Sequence, residues 1–219
     1  HLTAYGLMEF ADMARVHKVD PALLERMEQF LRSKQASDGS WHKSFKRTAY
    51  IACALKSAGR PNPKAQAWLA KRAVAIKDPY ALALAALAGA TKLSPRAWVP
   101  AGETMVGSRG RSARVETTAL AAQAMLAQGD HAEAFRAVRQ LLVLRGDDGR
   151  FGTTQSTVQA LRASLAAASD GPPQPAEVEI LGDDGTVTRK LSVERESVSV
   201  PLGSPTRLQV RSQGTLRYT

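Results

Sequence analysis

Cysteine occurs once in this chain, at Cys53, which excludes an internal disulfide and a cysteine-based zinc site. That thiol sits among small apolar residues in TAYIACALKSAG and reads as a buried, inert core residue, not a reactive one. Aromatics are also scarce, at 5% against 44% hydrophobic residues. Ala, Leu and Val therefore carry the apolar share, a balance that suits close helix packing better than a β-rich core. No run reaches the roughly 18 apolar residues a bilayer-spanning helix needs; the longest, YALALAALAGA at 80–90, reads as a buried helix. The net charge of +10 permits an anionic partner, but the basic residues are dispersed over helix faces, as in ERMEQFLRSKQ and AFRAVRQLLVLR. The densest knot, GSRGRSAR at 107–114, has no interleaved aromatic on which a base stacks. A solvated surface is the reading, with no nucleic acid expected.

What is present in quantity is helix punctuation. DPALLERMEQFLRSKQ places Asp20 as N-cap and Pro21 at the first helical position, and Leu23, Leu24, Met27, Phe30 and Leu31 form one apolar stripe. Asp78 with Pro79, Asn62 with Pro63, and Asp130 open further helices in the same way. Two kinds of helix largely alternate. Segments 21–35, 64–77 and 131–145 are amphipathic, whereas 48–58, 79–90, 115–128 and 153–168 are small or apolar nearly all round and, with 2–17, are read as the inner helices. A helix without a charged face must be covered on most sides. The expected architecture over 1–169 is therefore mainly α: antiparallel αα-hairpins in two concentric layers, a partial α/α toroid. Between Thr91 and Arg114, two prolines and three glycines break the rhythm, and a loop is expected to replace or shorten an outer helix.

DGPPQP at 170–175 reads as a stiff linker. Beyond it the hydrophobic period becomes two, with GDDG as a hairpin turn, so 176–219 is expected to be a small all-β segment. Four or five short strands are too few for an independent sandwich, and a partial β-domain is the reading. The chain starts already in helical periodicity at Leu2 and stops within the strand-like GTLRYT. It is expected to be a piece of a longer protein.

One phrase occurs twice. FLRSKQASDGSW and LLVLRGDDGRF each join a helix end, Asp-Gly and an aromatic, so that Leu31, Asp38, Gly39 and Trp41 align with Leu141, Asp148, Gly149 and Phe151. The glycines supply the positive φ of a helix end and the aromatics plug the corner before the next helix. This is an internal repeat of αα-hairpin type, and it requires no chemistry.

At GRFGTTQSTVQALRA the chain resembles the thioester-containing domain of the alpha-macroglobulin and complement family. There an aromatic, then Ser/Thr-x-Thr-Gln-x-Thr, then an Ala-Leu-rich helix marks the last hairpin; Thr154, Gln155 and Thr157 fall on that motif. HLTAYGLMEFADMA, FLRSKQASDGSW and VETTALAAQAML resemble other segments of the same domain, in the same order. The resemblance implies a secreted or, in bacteria, periplasmic parent that traps proteases. Cleavage of a bait segment releases an internal Cys–Gln thioester, which acylates the attacker. Its partners are then target proteases, the remaining domains of the parent, and, as bacterial members imply, a peptidoglycan synthase. Cys53 is followed by Ala54, Leu55 and Lys56, so no Cys-x-x-Gln lies here; by family order it would precede His1. The segment alone is then non-catalytic and needs neither cofactor nor metal. Five inner helices, against six in the family's ring, fit the same truncation. In complement proteins a loop His attacks the thioester, and His42 is the candidate for that relay, against the plainer reading of a surface loop residue. His17 and His131 are read as surface or helix-end residues.

Two other classes compete. Terpene cyclases and protein prenyltransferases share the toroid, but a cyclase needs an aromatic-lined cavity and an acid cluster, and aromatics here are expected mostly at corners and outer helices. A glycosidase needs a carboxylate pair, yet the inner segments carry little beyond Glu9, Asp12 and Glu116. The third class is a non-covalent scaffold for cell-envelope proteins.

Overall fold

The computed structural model describes residues 1–93, 104–146, 149–169, 176–181, 187–193 and 209–212. Asp148, the linker at 170–175, the second GDDG turn and the closing 213–219 lie outside the described residues. The chain is mainly helical and divides into two compact units, His1–Ala168 and Ser169–Thr219. In the second unit, β1 (Ala176–Leu181), β2 (Val187–Val193) and β3 (Gln209–Ser212) pair antiparallel in the order β2-β1-β3, with a register shift between Ile180 and Leu181.

The first unit begins with α1 (Leu2–Met13), α2 (Pro21–Ser33), α3 (Phe45–Ser57) and α4 (Pro63–Ala73). It continues with α5 (Pro79–Leu87), α6 (Gly110–Ala127), α7 (His131–Leu144) and α8 (Thr154–Ser169). All four expected side-chain caps form. Asp20 and Asp78 accept from the amides of Ala22 and Tyr80 at 2.9 and 3.0 Å. Asn62 and Asp130 accept from Ala65 and Glu133 at 3.1 and 3.4 Å. Each satisfies an amide that a helix start otherwise leaves without a partner. The helix ends repeat as well. In α3, α5 and α6 a glycine at positive φ follows the last turn, and the next amide reaches back to Leu55, Ala85 and Met125 at 2.8, 2.9 and 2.9 Å. This is the Schellman geometry, which satisfies the last carbonyls and turns the chain.

The alternation of burial holds in the middle of the unit. Residues 48–55 of α3 are all buried, as are seven of the nine in α5 and eleven of the eighteen in α6. By contrast α2, α4 and α7 bury single stripes: Leu31; Ala65, Trp68 and Leu69; Ala134, Ala137 and Leu141. In space α1 packs on α2 and α3, α3 on α4 and α5, α5 on α4 and α6, and α6 on α7. A second cluster joins Val115, Ala119 and Ala122 of α6 to Leu141, Phe151, Ala160 and Ala163. Alanines at these contacts let helix axes approach closely, so that dispersion between backbones replaces the bulk of larger side chains.

Four expectations need correction. Segments 2–17 and 153–168 are not covered all round: Leu2 is 76% exposed, and Leu161 and Leu165 of α8 lie open to solvent. Among the described residues, nothing covers these three side chains. The loop expected up to Arg114 ends sooner, because α6 begins at Gly110, where Ala113 and Val115 are buried while Arg111 and Arg114 stay in solvent. The first turn is therefore amphipathic, and the basic knot is partly helix. Helix α3 starts at Phe45, not residue 48, because the Ser44 hydroxyl accepts from Arg47 N–H at 3.4 Å and opens the helix there. Finally, the aromatics do not lie mostly at corners and outer helices, since among the described residues Tyr5 and Phe10 sit on α1, Phe45 and Tyr50 on α3 and Tyr80 on α5, with Tyr50 and Tyr80 fully buried.

Candidate functional site

The repeated phrase folds the same way twice. In the first corner Ala36 N–H donates to Ser40 O at 2.9 Å, Gly39 N–H to Ala36 O at 2.9 Å, and Gln35 Nε2 to Gly39 O at 2.8 Å. In the second, Gly146 N–H donates to Arg150 O at 2.8 Å, Gly149 N–H to Gly146 O at 2.8 Å, and Arg145 Nε to Gly149 O at 2.8 Å. Donors and acceptors occupy equivalent positions throughout. Gly39 and Gly149 both have positive φ, +93° and +77°. Trp41 and Phe151 are both buried, and Trp41 Nε1 donates to Leu31 O at 2.8 Å. Asp38 ties its corner to the next hairpin. It accepts from the Ser40 hydroxyl and amide at 2.7 and 2.9 Å and from Trp68 Nε1 at 3.1 Å. Those bonds, the Ser40 hydroxyl first, hold its carboxyl below the usual range.

The residues after the second corner fasten α8 to α6. Thr153 Oγ1 caps Ser156 N–H at 3.3 Å and meets Ser108 Oγ at 3.2 Å, and Thr153 N–H donates to Ser112 Oγ at 3.3 Å. Thr154 is exposed, Thr157 is half-buried inside the helix, and Gln155 is buried. His42 is exposed, with φ of 55°, and is followed by Lys43 at 51°. Two successive left-handed residues without glycine are uncommon, and they let Trp41 turn inward while His42 points to solvent. His17 lies exposed beyond the end of α1, and His131 is exposed at the start of α7.

Sequence reasoning placed Glu116 only as an isolated inner carboxylate. It is 1% exposed and stands among hydroxyls from three places: Tyr80 of α5, and Thr104 and Ser108 just before α6. Burial pushes its pKa above the ordinary carboxyl value, while the hydroxyls of Ser108, Tyr80 and Thr104 pull the other way. Burial also raises the phenols of Tyr50 and Tyr80, and Glu116 adds to both shifts. Cys53 is buried in α3, and desolvation pushes its thiol up to about 12, so it is protonated and inert at neutral pH. Glu116 Oε2, Tyr50 Oη and Gln155 Oε1 are buried with no hydrogen-bond partner among the described residues. Glu9 and Asp12, the other inner carboxylates, both pair with Arg162 of α8, Glu9 at 3.4 Å. The last helix thereby reaches the first.

Beside this polar centre, at the N-terminal ends of α1 and α8, opens a cavity of about 680 Å³. Leu2, Tyr5, Val106, Ser108, Thr154 and Gln155 are among its walls; His42 is not. Local signals marked the corners, because each is contiguous in sequence. The polar centre is assembled from α3, α5, α6 and α8, and its only trace in the sequence is one tyrosine in each of two alanine-rich runs. Among the described residues no three His, Cys, Asp or Glu side chains gather as metal ligands, and no helix is long and apolar enough to cross a membrane. Compared with models of known protein families and with curated proteins, the chain matches none.

Proposed function

We propose that the helical unit is an incomplete α/α toroid of the kind that carries the thioester in alpha-macroglobulins, and that this chain is a C-terminal part of a bacterial protease-trapping protein. The observation that carries the reading is the duplicated corner. Two helix pairs far apart in the sequence close on the same three hydrogen bonds around a glycine and a buried aromatic. Inner helices that end in glycine and outer helices that start on a side-chain cap support the same hairpin rule. The open sides of α1 and α8 are where, in this reading, a preceding hairpin packs, bringing its Cys-x-x-Gln to the cavity end of the unit. The segment after the linker is then part of the β-domain that succeeds the toroid. The parent works outside the cytoplasm, its partners are target proteases and its own remaining domains, and a peptidoglycan synthase is the envelope protein it would guard. The chain by itself performs no catalysis.

The test uses the full-length parent. Incubated with a broad-specificity protease, it is expected to leave the protease active on small peptides but blocked on proteins. If a thioester is present, an adduct should survive denaturing electrophoresis. A parent that leaves proteolysis of proteins undiminished refutes the trap. His42 belongs to the mechanism only if His42→Ala changes the preference of the activated parent between glycerol and methylamine; an unchanged ratio leaves it a surface residue.

A further inference from the structure

We propose that the turn at 104–108 is a proton-gated strap, which lies closed over the interior between α5 and α6 while Glu116 carries a proton and swings out about Gly110 when Glu116 ionises. This device needs no ligand and stands apart from the trapping role.

The strap is a closed turn. Thr104 N–H donates to Ser108 O at 3.4 Å, Gly107 N–H to Thr104 O at 3.2 Å, and Ser108 N–H to Thr104 Oγ1 at 3.0 Å. These bonds are internal, so the turn moves as one piece. What ties it down converges on α5 and α6: Met105 N–H donates to Tyr80 Oη at 3.4 Å, and the Thr104 and Ser108 hydroxyls reach Glu116. Met105 and Val106 lie partly buried against the core around α3 and α5, and Ser108 Oγ meets Thr153 Oγ1 at 3.2 Å. Gly110, where the strap joins α6, has φ of +54° and open space around it, and no side-chain cap pins that helix start. Met105, Val106, Gly107 and Ser108 also form one wall of the cavity, so a swung strap widens its mouth.

With the strap closed, Thr104, Ser108 and Glu116 are all buried. Glu116 Oε2 has no partner among the described residues, so three hydroxyls answer only part of an anion's charge, and burial outweighs them. An ionised Glu116 gains by meeting water. Its other cover belongs to packed helices, whereas the strap hangs on a few polar contacts, which makes it the easiest cover to move. The titratable groups facing Glu116 are Tyr80 from α5 and Tyr50 from α3, with Cys53, Tyr5 and Glu9 around Tyr50. No charged side chain of α7 or α8 figures among the influences on it. Burial raises both phenols and pushes Cys53 up to about 12, so none of the three ionises at or below neutral pH. The closed strap holds the Glu116 proton more tightly than the open one, where the acid is hydrated and titrates near its ordinary 4.5. Opening therefore gains favour as pH rises from 4.5 through the folded pKa.

Amide hydrogen exchange of the 219-residue chain, followed by NMR from below pH 4.5 to neutral, reads the strap at Met105 and Ser108. With the intrinsic base-catalysed rate divided out, their opening constants should rise with pH, by up to about tenfold per unit, and then level off. Glu116→Gln should hold them flat. His1 also lines this wall and is present in both proteins, so the difference between the two belongs to Glu116. The Arg60 amide, bonded to Leu55 O at 2.8 Å beyond α3, should follow neither. A flat wild-type profile, an equal rise in Glu116→Gln, or an equal rise at Arg60 would overturn the proposal. Should Glu116→Gln fail to fold, Tyr80→Phe decides. It removes the acceptor for Met105 and one hydroxyl from Glu116, so opening constants should be larger throughout and their rise should extend to higher pH. An unmoved profile would refute the strap.

Discussion

A Cβ built on Gly39 falls 2.5 Å from the backbone carbonyl oxygen of Lys64, and the residue sits at φ of +93°. That oxygen cannot readily yield, since it belongs to main chain. Gly59 has a similar φ of +74° but open space around it, and at Gly149 the nearest atom is the flexible end of Arg145. Alanine at Gly39 is therefore expected to lose roughly 2–3 kcal/mol, against about 1 kcal/mol at Gly59, with Gly149 between them. Urea unfolding of the three variants gives the order directly. Trp41→Phe keeps most of the wedge and removes one of two hydrogen bonds to the Leu31 carbonyl, which still accepts from Lys34 N–H at 3.2 Å, so only about 0.5–1.5 kcal/mol should go with it. Glu116 acts through pH. Its folded pKa lies above its ordinary value of 4.5, so the native state holds the proton more tightly and stability declines as pH rises from that value through the folded pKa. Glu116→Gln removes the decline, so its unfolding midpoint should exceed that of wild type at neutral pH and converge with it in acid. A wild type whose stability climbs over the same window would contradict this assignment.

Among the elements, α1 leans on a partner distant in sequence. Only Ala4, Leu7 and Met8 are buried in it, and Arg162 holds its Glu9 and Asp12 from α8. Arg162→Gln should cost about 1–3 kcal/mol and speed hydrogen exchange in α1 before α3 or α5 responds. Uniform exchange across all three would mean that the pair does not anchor the helix. The contrast between what was readable and what was not lies at this level too. Caps at Asp20, Asn62, Asp78 and Asp130 act over two or three residues, so a sequence displays them outright. The α6 start at Gly110 has no side-chain cap; it arises from burying Ala113 and Val115, which only packing reveals. The exposure of Leu161 and Leu165 was equally hidden, because an apolar face states a need for cover without saying whether a neighbour is there. Glu116 was visible as a residue and invisible as a site, since the tyrosines and hydroxyls around it come from other helices.

For the molecule as a whole, the division near Ser169 predicts that the helices fold without the second unit. A chain ending at Ser169 should unfold in one cooperative transition with the helical midpoint of the parent chain, as read by circular dichroism; a lost or much lowered midpoint would mean the second unit is needed for the first. The two matching corners have a different kind of consequence, one for ancestry. Since both joints close on interchangeable backbone contacts, a recombination event that fuses the residue before Ala36 to Gly146 would delete whole helix pairs and still leave a sound joint at the scar. Lineages carrying such a chain can therefore gain or shed hairpins as intact cassettes, and the number of pairs is freer to drift than the seam between them.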